Sequence, residues 1–466
     1  MRIIIFGTGT FYANRQDSFC DDEIIAFIDN DRNKWNKRIN NVSINSPSRL
    51  NQFSYDKIVI MSRQKHAIKN QLMYDIGIEE TSILDFEEYC ESTAKSKDLY
   101  ELVIHYKRNH IYFNNKKTKV LIITYVLNYS GSSLAAFYAA LALKNKGFDV
   151  AIVTWKADRR LISEITNMGV TVLIQKLLDF CTWEQMIWIE QFDYVIVNTL
   201  PLWRIIKELI NNKPILWWIH ESNNEYEYLE RSIVQKIDNL KAETYVVSDV
   251  ALQTFNRYFN KLSANILQYG IPDKGGDNTQ FINRDKIVFA IIGGISSIKA
   301  QDIFLQAITQ LTLEERNKSE FWMIGACLPE NQYGISILKQ AETIPEVKWL
   351  GELNRKEIEE VYKSIDVVVV PSRQDSLPIV ATEAFMYGKI LVASNVIGTV
   401  KYIIDKENGL IFESENVGEL AQKISWVLNN SKRLSAIRIK ARQTYERNFT
   451  LEVFGEKLKR IIENIK

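Results

Sequence analysis

Two acidic residues, Asp375 and Glu383, follow a short apolar run at a spacing of eight residues. The run Val367–Val370 has the composition of a buried strand in a parallel sheet. The polar segment Pro371–Pro378 predicts a loop, and Ile379–Tyr387 predicts a helix that Gly388 ends. Ligands of open parallel sheets bind beyond the carboxyl ends of the strands, and the free amides of a helix start attract anions. The segment therefore predicts a binding site for an anionic ligand such as a diphosphate.

Glu383 is the only charged residue of the predicted helix, where its neighbours are Ala, Thr and Phe. A carboxylate in such surroundings needs a partner. It lies about 7 Å from the helix start at about 1.5 Å per residue, a distance that suits an acceptor for the ribose hydroxyls of a nucleotide. Pairing with a core Arg or Lys is the structural alternative. Pro378 fits the first helical turn, because its missing N–H would have no partner there.

Two other loops carry polar residues after predicted strands. Gly293 and Gly294 open the loop after Ile287–Ile292, and Lys299 stands in this loop shortly before a helix. A flexible turn, a helix start and a lysine predict a phosphate clamp, although the pattern is not a P-loop and an exposed loop lysine is the alternative. His220 ends another predicted strand, at a place where ligand residues are expected, and a structural histidine is the alternative reading.

Short apolar runs alternate with helix-length segments along almost the whole chain, which is typical of βαβ units on parallel sheets. At 466 residues the chain is too long for a single core. We predict an α/β protein with a small N-terminal Rossmann-like domain at 1–95, a connector at 96–118, two larger Rossmann-like domains at 119–270 and 271–450, and a final helix at 451–466. The apolar stripe of that helix predicts packing against another element, and the domain at 119–270 is the candidate.

The strands are predicted at Ile3–Phe6, Ile24–Ile28, Lys57–Met61, Val120–Thr124, Val150–Thr154, Tyr194–Asn198, Ile215–Ile219, Thr244–Val247, Ile287–Ile292, Glu320–Ile324, Val347–Leu350, Val367–Val370 and Ile390–Ala393. In the connector, Leu102-Val103-Ile104 with Tyr106 predicts a helix. Aromatic and basic residues are interleaved there, and a solvated linker helix is the favoured interpretation. Contact with an anionic membrane surface is the alternative.

The N-terminal domain has the outline of a dinucleotide fold. Gly7-Thr8-Gly9 follows the first strand, and Asp29 ends the second. Tyr12 occupies the place of the third glycine, which argues against close contact with a pyrophosphate. Whether this domain binds a nucleotide is left open by the sequence, which favours a structural or docking role.

Composition excludes several other classes. Lys plus Arg number 58 and Asp plus Glu 57, which argues against nucleic-acid binding. The four cysteines lack the spacing of a disulfide framework or zinc site, so a reducing cytoplasm is the simple interpretation. We see no signal peptide, and no apolar run reaches the roughly 18 residues of a membrane span. We expect a cytoplasmic protein, with peripheral association at the inner face of the membrane also allowed.

The stretch PSRQDSLPIVATEAFMYGKILVASNVIGT, residues 371–399, resembles the acidic-x7-Glu region of the retaining glycosyltransferases of family 4, and the resemblance extends over about 119–466. It implies a GT-B fold of two Rossmann-like domains, preceded here by the extra N-terminal domain. By this resemblance Glu383 binds the ribose of a nucleotide sugar, and the donor's sugar and phosphate contact Asp375, Ser376, Leu377, Pro378 and Ile379. Most members have Glu at the position of Asp375 and Gly-Phe-Gly-like residues at Ser-Leu-Pro, which bears on the choice of sugar.

The same resemblance assigns the other loops. Lys299, with Gly293 and Gly294 beside it, neutralises the donor diphosphate, and members often carry an Arg near the position of Gly294. His220 faces the donor sugar and the acceptor. Gly131 precedes a helix predicted from Leu134 and approaches donor phosphate or acceptor. The implied catalytic residues are thus His220, Lys299 and Asp375.

The resemblance implies transfer of a sugar from a nucleoside diphosphate sugar to a hydroxyl, with retention of anomeric configuration, in the hexosyltransferase-type EC 2.4 class. A UDP-sugar is the favoured donor, no cofactor or metal is expected, and the acceptor is a glycan, a lipid-linked precursor or a protein in bacterial surface glycan or glycoconjugate synthesis. The alternative is a non-catalytic GT-B-like subunit that binds an active glycosyltransferase. An oxidoreductase or epimerase that uses the first domain is weaker, because of Tyr12 and because no Tyr-x-x-x-Lys pair is evident.

Overall fold

The computed structural model describes residues 1–19, 22–96, 103–105, 116–227, 229–276, 286–329 and 331–465. The chain forms two compact units, one of Met1–Val103 with Ile174–Trp188 and one of Ile104–Leu173 with Ile189–Lys466. Of the predicted connector, 97–102 and 106–115 lie outside the described residues.

The first unit contains a six-stranded sheet. Its strands are β1 Arg2–Phe6, β2 Glu23–Ile28, β3 Arg38–Ile39, β4 Val42–Asn45, β5 Lys57–Ile60 and β6 Ile83–Asp85, and its α-helices are α1 Thr10–Ala13, α2 Lys65–Asn70 and α3 Phe86–Ser96. The order is β3-β4-β2-β1-β5-β6, with only the β3–β4 pair antiparallel. Buried isoleucines of the central strands form its core.

The second unit contains two further sheets. The strands of the eight-stranded sheet are β7 Val103–His105, β8 Lys119–Leu127, β9 Asp149–Ala157, β10 Thr171–Ile174, β11 Tyr194–Asn198, β12 Ile215–Ile219, β13 Glu243–Val246 and β14 Ala264–Ile266, in the order β14-β13-β12-β11-β8-β9-β10-β7. The strands of the six-stranded sheet are β15 Ile287–Ile292, β16 Ser319–Ile324, β17 Val347–Trp349, β18 Val367–Val370, β19 Ile390–Ser394 and β20 Leu410–Phe412, in the order β17-β16-β15-β18-β19-β20.

Helices connect these strands as βαβ crossovers, and the last three helices follow the final strand β20. They are α4 Gly131–Asn145, α5 Arg159–Asn167, α6 Trp203–Leu209, α7 Asn223–Glu227, α8 Arg231–Ile237, α9 Asp249–Tyr258, α10 Gln301–Thr309, α11 Leu313–Asn317, α12 Gln332–Glu342, α13 Arg355–Ser364, α14 Ile379–Met386, α15 Val417–Asn429, α16 Ser431–Asn448 and α17 Leu451–Asn464. The pairs of the six-stranded sheet are parallel, as are those among β8, β9 and β11–β14. The loops that follow the strands of each set therefore collect at one edge.

The final helix α17 packs on α4, which belongs to the eight-stranded half of the unit. Phe454 is buried with its ring 5.5 Å from that of Trp218, and Lys146 pairs with Glu452 and Glu456. A Cβ atom at Gly455 would lie 3.2 Å from the carbonyl oxygen of Ala142, so the two helices are in close contact.

The α/β class with parallel sheets is confirmed, and all the predicted strands are present with ends displaced by up to three residues. Sequence reasoning missed the short strands, such as β10, β14 and β20, whose few residues give little periodicity. The helix predicted around Leu102-Val103-Ile104 is wrong, because Val103–His105 is a strand. Two consecutive β-branched residues favour that conformation. Cys181 and Cys327 are free thiols, and Cys20 lies outside the described residues.

Candidate active site

The loop after β18 is held in place by side chains from the other sheet of the second unit. The Ser248 hydroxyl donates to the carbonyl of Ser376 at 2.5 Å, and the Tyr269 hydroxyl donates to that of Leu377 at 2.5 Å. All four residues are buried. These bonds link the eight-stranded half of the unit directly to the loop that carries Asp375. The loop forms one wall of a cleft, the eight-stranded half forms the other wall, and the bonds hold the two walls together.

Asp375 is paired across this cleft wall with Lys299. The Lys299 Nζ lies 2.5 Å from Asp375 Oδ2, and the carboxylate is 16% exposed. Lys299 stands at the end of a 3-10 turn, and Ala300 follows it in the left-handed conformation with φ of 55°. L residues adopt this conformation at a cost, so the loop holds a strained residue directly behind its cation.

Glu383 lies on α14 with a side chain that is 2% exposed. Tyr362 donates its hydroxyl to Oε2 at 2.9 Å, whereas Oε1 accepts no hydrogen bond from the described residues and has Arg355 Nη1 as an ion-pair partner at 2.5 Å. The Tyr362 ring stacks on Tyr387 at 4.5 Å, which fixes the hydroxyl. The alternative predicted for Glu383, a pairing with a core arginine, is therefore present in the structure. The arginine, Arg355, also lines the cleft.

Pro378 is the N-cap of α14, with φ of −67°, and Ile379 is its first helical residue. The helix begins at Ile379, as predicted, so Pro378 stands directly before the first turn and not inside it. The first amides of the helix have no acceptor within it. Because Asp375 comes just before this start and Glu383 one turn into the helix, a single element positions both acids.

His220 follows β12 and lies against Trp218, with ring centroids 4.4 Å apart. Burial lowers the pKa of His220 to about 3, so the imidazole is neutral at physiological pH. Its Nε2 atom is buried and has no hydrogen-bond partner among the described residues. A neutral ring nitrogen without a partner at the edge of a cleft can bond a ligand hydroxyl.

Glu221 is the acid that directly follows His220, and it was not among the predicted site residues. Its Oε2 accepts from the backbone amides of Leu200 at 2.9 Å and of His220 at 3.0 Å. Burial raises the pKa of the Glu221 carboxyl to about 7, although these hydrogen bonds partly oppose the rise. Its place directly after a buried strand was the available signal, since perturbed acids gather at such sites.

The glycines of the site have different constraints. Gly293 has φ of 146°, a region that favours glycine, whereas a Cβ added at Gly294 would make an ordinary van der Waals contact with the carbonyl oxygen of Ala326 at 3.8 Å. Gly131 is the first residue of α4. The helix had been predicted from Leu134, so it begins three residues earlier and brings its free amides to the cleft.

All the predicted site residues line two adjoining cavities in the second unit. One of about 440 Å³ is lined by Gly131, Gly293, Gly294, Lys299, Asp375, Leu377, Pro378, Ile379 and Glu383, together with the unpredicted Arg355. The other, of about 330 Å³, is lined by Gly131, His220, Lys299, Asp375, Ser376 and Leu377, together with Glu221. The cavity of about 440 Å³ thus brings together two cations, two acceptor carboxylates and the first residues of α4, α13 and α14. It suits a ligand that combines anionic groups with hydroxyls.

The glycine turn of the first unit is built differently. Gly7 has φ of 105°, and an added Cβ would lie 2.6 Å from the carbonyl oxygen of Met61. Asp29 Oδ2 accepts from the amide of Thr8 at 2.9 Å and its hydroxyl at 2.5 Å, and pairs with Lys34 at 3.0 Å. Tyr12 is buried against Phe27. The turn borders a cavity of about 460 Å³, but the acid that would meet a ribose is already bonded within the unit.

In the part of the chain that the structure describes, no group of three or more His, Cys, Asp or Glu side chains is arranged to hold a metal ion. Among the same residues, no helix has both the length and the apolar character to cross a membrane.

Comparison with known families finds three matches. Residues 1–84 match the C2185-like N-terminal model, 116–266 match the glycosyl-transferase family 4 model, and 277–444 match the glycosyl transferases group 1 model. The second and third matches cover the two halves of the cleft-bearing unit. The chain belongs to the family 4 glycosyltransferases with the GT-B fold. The family and fold class given by residues 371–399 are thereby confirmed.

This family 4 glycosyltransferase is 24% identical to the D-inositol 3-phosphate glycosyltransferase of Rhodococcus opacus over 234 residues, 48% of this chain and 52% of that one. It is 30% identical over 122 residues to a Campylobacter jejuni enzyme named N,N'-diacetylbacillosaminyl-diphospho-undecaprenol alpha-1,3-N-acetylgalactosaminyltransferase, which is 26% of this chain and 32% of that one. The chain spans about half the length of the first of these curated relatives and less of the second.

Solved structures share the fold. HepE from Anabaena, determined with UDP and glucose, matches with a TM-score of 0.64 at 16% identity, over 74% of this family 4 chain and 99% of that one. Sucrose-phosphate synthase from Thermosynechococcus elongatus matches with a TM-score of 0.62 at 15% identity, over 74% of this chain and 98% of that one.

The raised pKa of Glu221 predicts a pH-dependent stability that Glu221→Gln removes. The pKa of the Glu221 carboxyl is about 7 in the folded state and 4.5 in the unfolded state. The contribution of the protonated carboxyl to the free energy of unfolding is therefore complete below pH 4.5 and is lost as the pH rises through 7. The glutamine oxygen still accepts from the two backbone amides. We expect the Tm of the variant to rise relative to wild type between pH 5 and pH 8 in thermal melts. The surface variant Glu208→Gln is the control, and parallel curves for wild type and Glu221→Gln would contradict the assignment.

Proposed function

We propose that the chain transfers a sugar from a nucleoside diphosphate sugar, with a UDP-sugar favoured, to a hydroxyl group of an acceptor. The observation that carries this proposal is the cavity of about 440 Å³ in which Lys299, Asp375, the start of α14 and Glu383 meet. In this proposal Asp375 corresponds to the sugar of the donor, Lys299 and the helix start to the diphosphate, and Glu383 to the ribose.

In the proposed complex, the diphosphate lies at the start of α14, where Ile379 and its neighbours present amides, and Lys299 neutralises it. Glu383 accepts hydrogen bonds from the ribose hydroxyls. Asp375, with the backbone of Ser376 and Leu377, holds hydroxyls of the donor sugar. The fixed loop supports this role, because the Ser376 and Leu377 carbonyls are bonded to the opposite half.

The second cavity is proposed to hold the donor sugar and the acceptor. It contains the unpartnered Nε2 of His220 and the Glu221 carboxyl, and it shares Lys299 and Asp375 with the donor cavity. The anomeric carbon would then lie where the two cavities meet. The domains at 119–270 and 271–450 are the proposed acceptor-side and donor-side domains of this arrangement.

For the reaction we propose same-face displacement with retention of configuration. The bond between the anomeric carbon and the diphosphate oxygen breaks, the acceptor oxygen bonds to that carbon on the same face, and the departing phosphate oxygen takes the acceptor's proton. Lys299 and the amides at the start of α14 stabilise the charge that develops on the diphosphate. These groups supply the stabilisation, so the proposed reaction needs no metal ion.

The names of the relatives suggest the acceptor class. The Rhodococcus relative is named for an inositol phosphate acceptor, and the Campylobacter relative for a glycan on a diphospho-undecaprenol lipid. Both named compounds contain a hydroxyl-bearing ring, an inositol in the first and a sugar in the second. We therefore propose a glycan, lipid-linked or protein acceptor that offers a hydroxyl, in bacterial surface glycan or glycoconjugate synthesis, with peripheral association at the inner face of a membrane.

A donor panel tests the activity. The purified chain is incubated with UDP-glucose, UDP-galactose, UDP-N-acetylglucosamine and GDP-mannose, with and without EDTA, and release of the free nucleoside diphosphate is measured. We expect slow hydrolysis of at least one donor, unchanged by EDTA, and inactivity of Lys299→Gln. If the chain neither binds nor hydrolyses any of these donors, the result would favour the alternative of a non-catalytic GT-B-like partner subunit.

Removing the charge of Glu383 tests the ribose contact. Glu383→Gln keeps an acceptor for Tyr362 but weakens the hydrogen bonds from ribose hydroxyls, because bonds to charged groups are about twice as strong as neutral ones. We expect calorimetric affinity for UDP to fall by about 10- to 100-fold, while the far-UV spectrum is unchanged. The matched control is Glu407→Gln, a surface acid paired with Lys440. An unchanged affinity for UDP in Glu383→Gln would refute the ribose contact.

A further inference from the structure

The donor cavity has four charged side chains in its described lining, arranged as two ion pairs. Lys299 pairs with Asp375, and Arg355 pairs with Glu383, each at 2.5 Å. In both pairs the acid is the more buried partner, at 16% and 2% exposed, and the base is more accessible, at 37% and 21%. The ligand-free site is therefore neutral, and each cation is bound to an acid that the proposed function assigns to donor hydroxyls.

Lys299 alone leaves the diphosphate with a single cation for its two phosphates. The facing loop has Gly294 in place of a side chain that could add another. Arg355 is the other cation that lines the same cavity among the described residues. A guanidinium group presents a planar fork of N–H donors that fits phosphate oxygens in a bidentate manner.

We propose that Arg355 is a donor-binding residue, which leaves Glu383 when the donor binds and places its guanidinium group on the diphosphate. This inference rests on the proposed function. In the bound complex the ribose hydroxyls replace Arg355 at Glu383, and the released guanidinium supplies the second positive charge that the Gly294 loop lacks.

The local structure of Arg355 favours such an exchange of partners. Arg355 is the first residue of α13, whose start is fixed by a capping box between Asn354 and Glu357. A cation at the positive end of a helix is unfavourable, so Arg355 depends on an anion nearby. The capped backbone is anchored while the long side chain can move to whichever anion is available.

The side chain also has space in which to move. Arg355 lines both the donor cavity and a neighbouring cavity of about 800 Å³, and the two volumes share Tyr129, Leu134 and Ile358 in their linings. Glu383 keeps the Tyr362 hydroxyl as a donor throughout, so the carboxylate is never left without a hydrogen bond. The exchange therefore requires no rearrangement of packed core residues.

The test compares binding of UDP with binding of uridine by calorimetry. Only UDP carries the diphosphate, whereas both carry the ribose. In Arg355→Gln we expect UDP affinity to fall by about 10- to 100-fold, while uridine affinity is unchanged or higher because Glu383 is free. Lys363→Gln, which removes an exposed charge from the same helix, is the matched control and leaves both affinities unchanged.

A second-site variant sharpens the test. A Cβ at Gly294 meets no atom closer than the Ala326 carbonyl oxygen at 3.8 Å, so Gly294→Arg added to Arg355→Gln is expected to restore UDP affinity to within about threefold of wild type. If Arg355→Gln does not fold, Arg355→Lys takes its place, because it keeps the charge but loses the fork. The expected result is then a fall of about threefold or more in the ratio of UDP to uridine affinity.

Three outcomes would overturn the inference. Equal losses of UDP and uridine affinity would mean that Arg355 only orders the site, tighter binding of UDP would mean that it only blocks Glu383, and unchanged binding of both would mean that it has no role. If wild type binds neither UDP nor GDP, ADP or dTDP, the proposed function fails, and this inference fails with it. A wild type that binds GDP and not UDP is tested with GDP and guanosine in the same way.

Discussion

Lys299 Nζ lies 2.5 Å from Asp375 Oδ2, and Arg355 Nη1 lies 2.5 Å from Glu383 Oε1. These two ion pairs allow four charged side chains to line a half-closed cleft, because a buried charge without a partner is costly. The same pairs hold the carboxylates in place while no ligand is bound. They also make the site respond to a ligand, because hydroxyls can replace the cations and phosphates can replace the carboxylates.

The positions of these charges depend on contacts between the two halves of the second unit. Ser248 and Tyr269 bond the carbonyls of Ser376 and Leu377, and an added Cβ at Gly398 would lie 1.7 Å from the Ser376 carbonyl oxygen. The loop is thus hydrogen-bonded to the eight-stranded half on one side and packed closely against Gly398 on the other. The carboxyl ends of β12, β15 and β18 all deliver polar residues to the same cleft, as parallel sheets require.

The sequence was enough to predict the fold and most of the residues that line the candidate site, because both follow from local patterns. The run Val367–Val370 is recognisable as a buried strand, and Glu383 stands out as the one charge in an apolar helix. Arg355 gave no such signal, because it looks like one more polar residue at the start of an amphipathic helix. Its meeting with Glu383, 28 positions later, is a tertiary contact. Val103–His105 was assigned the wrong element because three residues carry too little periodicity to decide.

We propose that this cleft binds a nucleoside diphosphate by moving Arg355 from Glu383 to the phosphates. A crystal structure of the full chain soaked with UDP tests this most directly. We predict the diphosphate at the start of α14 with Lys299 and Arg355 on its oxygens, the ribose hydroxyls on Glu383, and the Arg355–Glu383 pair opened beyond about 4 Å. UDP bound elsewhere, or bound in the cleft with that pair intact, would contradict the proposal.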